Sequence, residues 1–138
     1  MRASIRDFAN DGGRIYAECG GMLYLLSSLT DKSGRTADMV GVMPGSAVMQ
    51  SKLVSLGMQS APLFGREWRG HTFHHSESTI DVPVFSRGIR QRKSKAGYDG
   101  EAIYIHNNIV ASYIHAYFPS DPQIAADMFG NTDQRLTS

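Results

Sequence analysis

The sequence predicts an α/β protein of one structural unit, an open sheet with helices packed against it. Three observations carry that reading. A short apolar segment, Arg14-Ile15-Tyr16-Ala17, runs into Cys19 and continues through Gly20-Gly21 into a helical pattern. A hairpin pattern over 102–118 contains the histidine His115 near its end, and a last helical pattern follows it directly. Carboxyl ends of strands are where open α/β sheets place their sites.

Size and composition agree. A chain of 138 residues, 41% hydrophobic, sits near the common size of one domain and can form a core. The net charge of +1 lends no support to nucleic-acid binding. One cysteine means no internal disulfide. No apolar run approaches the length needed to span a bilayer, and the N-terminus, with Arg2, Arg6 and Asp7, lacks the apolar region of a signal peptide. These features predict a cytoplasmic protein with no membrane contact.

In chain order, Ile5, Phe8 and Ala9 share one face of a first helix, which Gly12-Gly13 separates from the strand of Arg14 to Ala17. Gly20 and Gly21 let the chain turn sharply and let a substrate approach the backbone. Met22, Leu25, Leu26 and Leu29 recur at helical spacing, so a second helix begins almost at the thiol. The segment 30–37 has loop composition, and Met39 to Met43 reads as a short strand stopped by Pro44-Gly45. Residues 47–58 lean toward strand, and 62–68 reads as a loop. RGHTFHHSE, Arg69 to Glu77, alternates as a strand and is rich in hydrogen-bonding groups. Ser86 to Gly100, with Arg87, Arg90, Arg92, Lys93 and Lys95, reads as a solvated surface loop; a sharper alternative is attraction of an anionic polycarboxylate substrate. The hairpin has Ile103 and Ile105 on one arm, Asn107-Asn108 as the turn, Ile109, Ala111 and Tyr113 on the other, and His115 at the end of its second strand. A last helix starts at Ser120 with a capping box to Gln123 and stops near Gly130.

A thiol on a strand-to-helix turn points out of the backbone, and the N–H groups that follow it favour the thiolate and any oxyanion beside it. The alternative for Cys19 is small core filler, the usual fate of a free cysteine. The chemistry rests on whether Cys19 and His115 meet, because a neutral imidazole in reach can take the thiol proton. For His71, His74 and His75 a metal is disfavoured: on a strand His71 and His75 share one face, His74 points to the other, and no cysteine or acid stands at zinc-like spacing. His106, beside the hairpin turn, reads as a surface residue.

AECGGMLYL (Ala17–Leu25), DMVGVMPG (38–45), RGHTFHHS (69–76) and ASYIHAYF (Ala111–Phe118) together resemble the glutamine amidotransferase domains of cobyrinic acid a,c-diamide synthases, enzymes that amidate corrin carboxylates in cobalamin biosynthesis. The motifs fall in the family's order over nearly the whole chain. The resemblance implies a class I glutamine amidotransferase fold, flavodoxin-like, with a mostly parallel sheet flanked by helices. It implies that Cys19 attacks the side-chain amide of glutamine, that His115 is the base, and that the Gly20 N–H supplies one oxyanion-hole donor. Arg69, His71, His75 and Ser76 become glutamine-binding or supporting residues.

The sequence departs from the family in ways that shape the expectation. Many class I glutaminases orient the histidine with a glutamate two positions later; here that position is Tyr117. Thr72 and His75 replace the usual glutamate and tyrosine of the third motif. No phosphate-cradling glycine loop of the GxxxxGK[ST] form is present. The chain, 1–138, therefore reads as the C-terminal portion of a glutamine amidotransferase domain, N-terminally truncated. The loop giving the second oxyanion donor lies outside it, as does the ATP-dependent synthetase domain to which ATP, Mg2+ and the corrin substrate belong. No cofactor or metal is expected in this chain. It is expected to hydrolyse glutamine weakly or not at all alone, and loss of neighbouring strands leaves a sheet edge suited to self-association as a homo-oligomer. The alternative from another class is a non-catalytic remnant acting as a binding or interaction protein. A papain-like hydrolase is a distant third.

Overall fold

In the computed structural model, residues 1–91 and 100–130 are described. Twelve short strands form three four-stranded sheets among them. In the first, β1 (Ile15–Glu18) pairs with β11 (Ile109–Ser112), then β10 (Ala102–His106) and β8 (Val84–Arg87). In the second, the order is β12 (His115–Tyr117), β6 (Arg66–His74), β5 (Ser55–Leu63) and β9 (Ile89–Arg90). The third runs β3 (Thr36–Asp38), β2 (Ser28–Thr30), β4 (Gly45–Met49) and β7 (Ser76–Ile80).

The chain is α/β as expected, but the sheets are mixed where a mostly parallel one was anticipated. Only β1 with β11 and β2 with β4 run parallel among the described pairings. A parallel pair needs a crossover of about a dozen residues or more. Two of the antiparallel pairs are instead closed by tight turns: Phe64-Gly65 closes β5 onto β6 with Leu63 opposite Arg66, and Asn107-Asn108 closes β10 onto β11 with His106 opposite Ile109. The expected loop over 62–68 is thus a hairpin tip. Phe64 and Gly65 both adopt positive φ, +52° and +72°, the backbone that a two-residue hairpin demands.

Three helices accompany the sheets. α1 (Arg2–Asn10) buries none of its residues and is tied down by Arg6, whose guanidinium donates twice to the Val40 carbonyl. α2 is only Gly20–Leu25, shorter than the periodicity implied; Leu29 lies in β2. Its end is fixed by 40–43, the segment expected as a strand. The N–H groups of Val40, Val42 and Met43 donate to carbonyls of Tyr24 and Leu25, and that of Gly41 to Leu26. Backbone groups spent on capping a helix are unavailable to a sheet, so no strand forms there. α3 (Pro122–Phe129) is capped by Asp121, not Ser120: Asp121 Oδ1 accepts from the Gln123 N–H, while Ser120 Oγ accepts from the Arg69 N–H.

Two apolar clusters hold these layers. One gathers Met22, Leu23, Leu25 and Leu26 around Val40, Met43, Ala47, Ile109, Ala111 and Tyr113. The other joins Ala61, Leu63 and Trp68 to Ile103, Ile105, Val110, Ile114, Ile124 and Met128. Each large aliphatic side chain buried here contributes about 1.5–3 kcal/mol. Of the basic stretch 86–100, Ser86–Arg87 and Ile89–Arg90 are strand, and Arg92, Lys93 and Lys95 lie outside the described residues. Among the described residues no helix is long and apolar enough to cross a membrane.

Candidate active site

Cys19 stands between β1 and α2 with φ +46° and ψ −110°. A side chain in that backbone region carries strain of order 1–3 kcal/mol, tolerated only where its surroundings over-determine it. Two hydrogen bonds do so: the Cys19 N–H donates to the Ser112 carbonyl at 2.9 Å, and the Cys19 carbonyl accepts from the Leu23 N–H at 3.0 Å. The sharp turn was expected of the two glycines. Instead, Gly20 and Gly21 lie inside α2, and a Cβ on Gly20 would meet nothing within 4 Å. The absent side chain at Gly20 leaves open space beside the sulfur.

The thiol is half-buried and its Sγ lies 3.8 Å from the Phe73 carbonyl, to which it donates. Burial pushes it above the ordinary thiol range; the Gly20 N–H turned toward it works in the other direction, and the carboxylates of Glu18 and Glu101 push it further up. Cys19, Gly20, Phe73, His74, His75 and Ser76 share the wall of a cavity of about 400 Å³, otherwise lined by Leu23, Tyr24, Leu29, Met39 and Met49. A larger cavity of about 510 Å³, beside 82–85 and 105–107, shares none of these residues.

His115 opens a separate strand, β12, in the second sheet. β11 ends at Ser112, so the expected single returning arm is broken in two. The break carries the chain from one sheet to another, and β12 docks on β6 with His115 opposite His71. Gly70 makes the docking possible, since a Cβ there would come within 2.3 Å of the His115 carbonyl oxygen. The rings of His71 and His115 stack with centroids 5.0 Å apart and planes 11° apart. His115 Nδ1 lies 3.6 Å from Glu18 Oε2. Cys19 Sγ makes its hydrogen bond with Phe73, not with His115; Glu18, the residue before the cysteine, is what joins the two.

The remaining predicted residues divide. His75 and Ser76 reach the cavity: Ser76 Oγ bonds the Tyr113 hydroxyl at 2.9 Å, and His75 Nδ1 is buried without a hydrogen-bond partner. His71 stacks on His115, and Arg69 sits on exposed β6 backbone; neither lines the cavity. β6 ends at His74, and burial alternates along it as expected, with His71 exposed and His74 buried; His75 follows the strand and is partly buried. Among the described residues no group of three His, Cys, Asp or Glu side chains converges as a metal would require. Sequence reasoning missed Glu18, Phe73, His74 and Glu101. A carboxylate closing the otherwise apolar strand Ile15-Tyr16-Ala17 was the available signal for Glu18, because a half-buried charge requires partners.

Residues 1–123 match the CobB/CobQ-like glutamine amidotransferase domain. The chain is 44% identical over 126 residues to a hydrogenobyrinate a,c-diamide synthase of Stutzerimonas stutzeri, covering 91% of this chain and 29% of that relative. It is 44% identical over 115 residues to a cobyrinate a,c-diamide synthase of Herminiimonas arsenicoxydans, 83% of this chain and 26% of the relative. A hydrogenobyrinate a,c-diamide synthase of Pseudomonas aeruginosa is 40% identical over 126 residues, with 91% and 28% covered. The chain thus spans less than a third of these relatives. Its class I glutamine amidotransferase-like α/β fold, the turn that presents Cys19 and the match over 1–123 lead to one conclusion: the chain belongs to the CobB/CobQ-like glutamine amidotransferase family.

Proposed function

We propose that this chain is the glutaminase portion of a cobyrinate or hydrogenobyrinate a,c-diamide synthase, supplying ammonia from glutamine through Cys19 and His115. The observation that carries the reading is the backbone of Cys19, held at positive φ between strand and helix with its thiol on a cavity wall and the Gly20 N–H turned toward the sulfur. The resting thiol is pushed up by burial, so attack needs a base. His115 takes the thiol proton, and the sulfur bonds to the amide carbon of the glutamine side chain. The oxyanion forms against the Gly20 N–H, a donor worth about 3 kcal/mol when well aimed. Collapse breaks the C–N bond, His115 returns the proton to the departing ammonia, and water then cleaves the thioester to glutamate. His75 and Ser76 are the glutamine-facing side chains of this proposal; Arg69 and His71 act from the β6 side.

Activation of the corrin carboxylate, with ATP and Mg2+, belongs in this reading to the part of such synthases that this chain does not span. The setting is cytoplasmic. The edge position of β1 in its sheet also supports self-association, against which a clean monomer in light scattering at high concentration would count.

A non-catalytic binding role is favoured by one observation, the thiol hydrogen-bonded to Phe73 with no hydrogen bond to His115. The glutamine analogue 6-diazo-5-oxo-norleucine separates the readings. A competent pair gives a single adduct mapped to Cys19, lost in Cys19→Ala and slowed at least about 100-fold in His115→Ala. An unreactive Cys19 leaves the non-catalytic role.

A further inference from the structure

We propose that Glu18 is the positioning residue for His115: its carboxylate holds the ring in the tautomer protonated at Nδ1, leaving Nε2 free to take the proton of Cys19. The consequence for reactivity rests on the glutaminase reading above; the consequence for the ring does not.

The carboxylate is fixed by what it accepts. Glu18 Oε1 receives the Tyr16 O–H and the Ala116 N–H, both at 2.8 Å, which leaves Oε2 as the oxygen facing His115 Nδ1 at 3.6 Å. Tyr16 is a dependable donor, because burial first and its bond to Glu18 second push the phenol far above its usual range. Its ring is wedged edge-on against Trp68 and Phe118. The Ala116 N–H belongs to the residue after His115, so one carboxylate holds both the backbone and the ring of the same strand. His71 stacks on the imidazole and limits its rotation.

An ionised carboxylate only accepts, so a ring nitrogen facing it carries the proton. The other nitrogen then presents its lone pair, the form a general base requires, and the carboxylate stabilises the imidazolium once the proton has moved. The separation of 3.6 Å is that of an ion pair and longer than a hydrogen bond; catalytic contacts are often long in ligand-free sites and tighten with substrate. The position two residues after His115, where many class I glutaminases carry the acid, is Tyr117, which is 61% exposed. The acid enters here from the nucleophile side, one residue before Cys19.

Glu18→Gln isolates the role. The amide oxygen keeps the bonds from Tyr16 and Ala116, and the amide NH2 then faces Nδ1 as a donor, which inverts the tautomer. The experiment is nitrogen-15 NMR of histidine-labelled protein at about pH 8.5, with His115 assigned by its loss in His115→Ala, beside the rate of Cys19 labelling by 6-diazo-5-oxo-norleucine. The expected result is an Nδ1-protonated His115 in wild type and an Nε2-protonated one in Glu18→Gln, with labelling slowed by about tenfold or more at an unchanged half-saturating probe concentration. A wild-type ring protonated at Nε2, or the same tautomer in both proteins, overturns the proposal. Should wild-type Cys19 fail to react while the tautomers still switch, the glutaminase reading falls and the positioning role stands. If Glu18→Gln does not fold, the wild-type tautomer alone decides.

Discussion

His74 Nε2 meets Glu101 Oε1 at 3.1 Å, while the other ring nitrogen of His74 lies 2.9 Å from the Ser76 carbonyl. The ring lies flat on Tyr113, with centroids 3.7 Å apart. Arg90 brings a guanidinium to Glu101 at 3.7 Å and donates to Ser55 Oγ at 2.8 Å, and the Glu101 N–H donates to Gln59 Oε1. Through Glu101, the residue before β10, these contacts tie the start of that strand to β5, β6 and β9 beside the cavity wall formed by Phe73 to Ser76.

That cluster makes the protein sensitive to acid. Burial alone would push the Glu101 carboxyl up, but hydrogen bonds from His74 and Ser55 and the charges of His74 and Arg90 outweigh it and hold the group below its ordinary 4.5. A carboxyl lowered in the folded state stabilises fully above its unfolded value, and that stability is lost as pH falls through the folded one. Thermal melts from pH 7 down to pH 3 should show Tm falling below about pH 4.5. Glu101→Ala, which strands His74 and Arg90, should cost about 3 kcal/mol at pH 7 and flatten the acid limb. An unchanged acid limb in the variant would show that other carboxyls control it.

Gly70→Ala should displace His115. Its Cβ would fall 2.3 Å from the His115 carbonyl oxygen and 2.6 Å from Ile114 Cγ2, and backbone cannot swing aside as a side chain can. Overpacking of this kind costs about 1–3 kcal/mol, and the β6–β12 register should slip. Denaturant melts should show the loss, and probe labelling of Cys19 should slow with it. Gly20→Ala is the contrast, because open space surrounds that position and alanine favours a helix by up to about 1 kcal/mol. It should fold at least as well as wild type.

Alkylation of Cys19 by a small neutral reagent should rise with pH and reach half its plateau above pH 9.0, the ordinary thiol value. Burial, then the Glu18 and Glu101 charges, disfavour the thiolate more than the Gly20 N–H favours it. Iodoacetamide rates between pH 7 and 11, followed by intact mass, read this directly. A midpoint below 9.0 would mean that the sulfur is activated at rest.

What could be read from the sequence was local. The strand before Cys19, the hairpin turn at Asn107-Asn108 and the stop near Gly130 follow from periodicity and turn chemistry, and each stands where it was expected. What could not be read depended on distant partners. Val40 to Met43 look like a strand by composition, yet their N–H groups cap α2; Ser112 and His115 look like one arm, yet Gly70 on β6 draws the second piece into another sheet. The site was legible to the same degree. The nucleophile turn announces itself in four consecutive residues, Glu18 to Gly21, whereas Phe73, His74 and Glu101 are brought to it by pairings that no short window contains.

Cys19 should be a costly residue for the fold. At φ +46° and ψ −110° a Cβ crowds the neighbouring carbonyl, and glycine escapes that penalty. Cys19→Gly and Cys19→Ala both remove the sulfur and its contact with Phe73, but only glycine releases the backbone. Urea melts of the two variants should therefore place Cys19→Gly above Cys19→Ala by about 1 kcal/mol, even though glycine enters the unfolded chain with more entropy to lose. Equal stabilities would mean the turn stores no strain. A more stable alanine variant would place the residue in an ordinary backbone region and remove the structural reason for reading this turn as a device that presents a nucleophile.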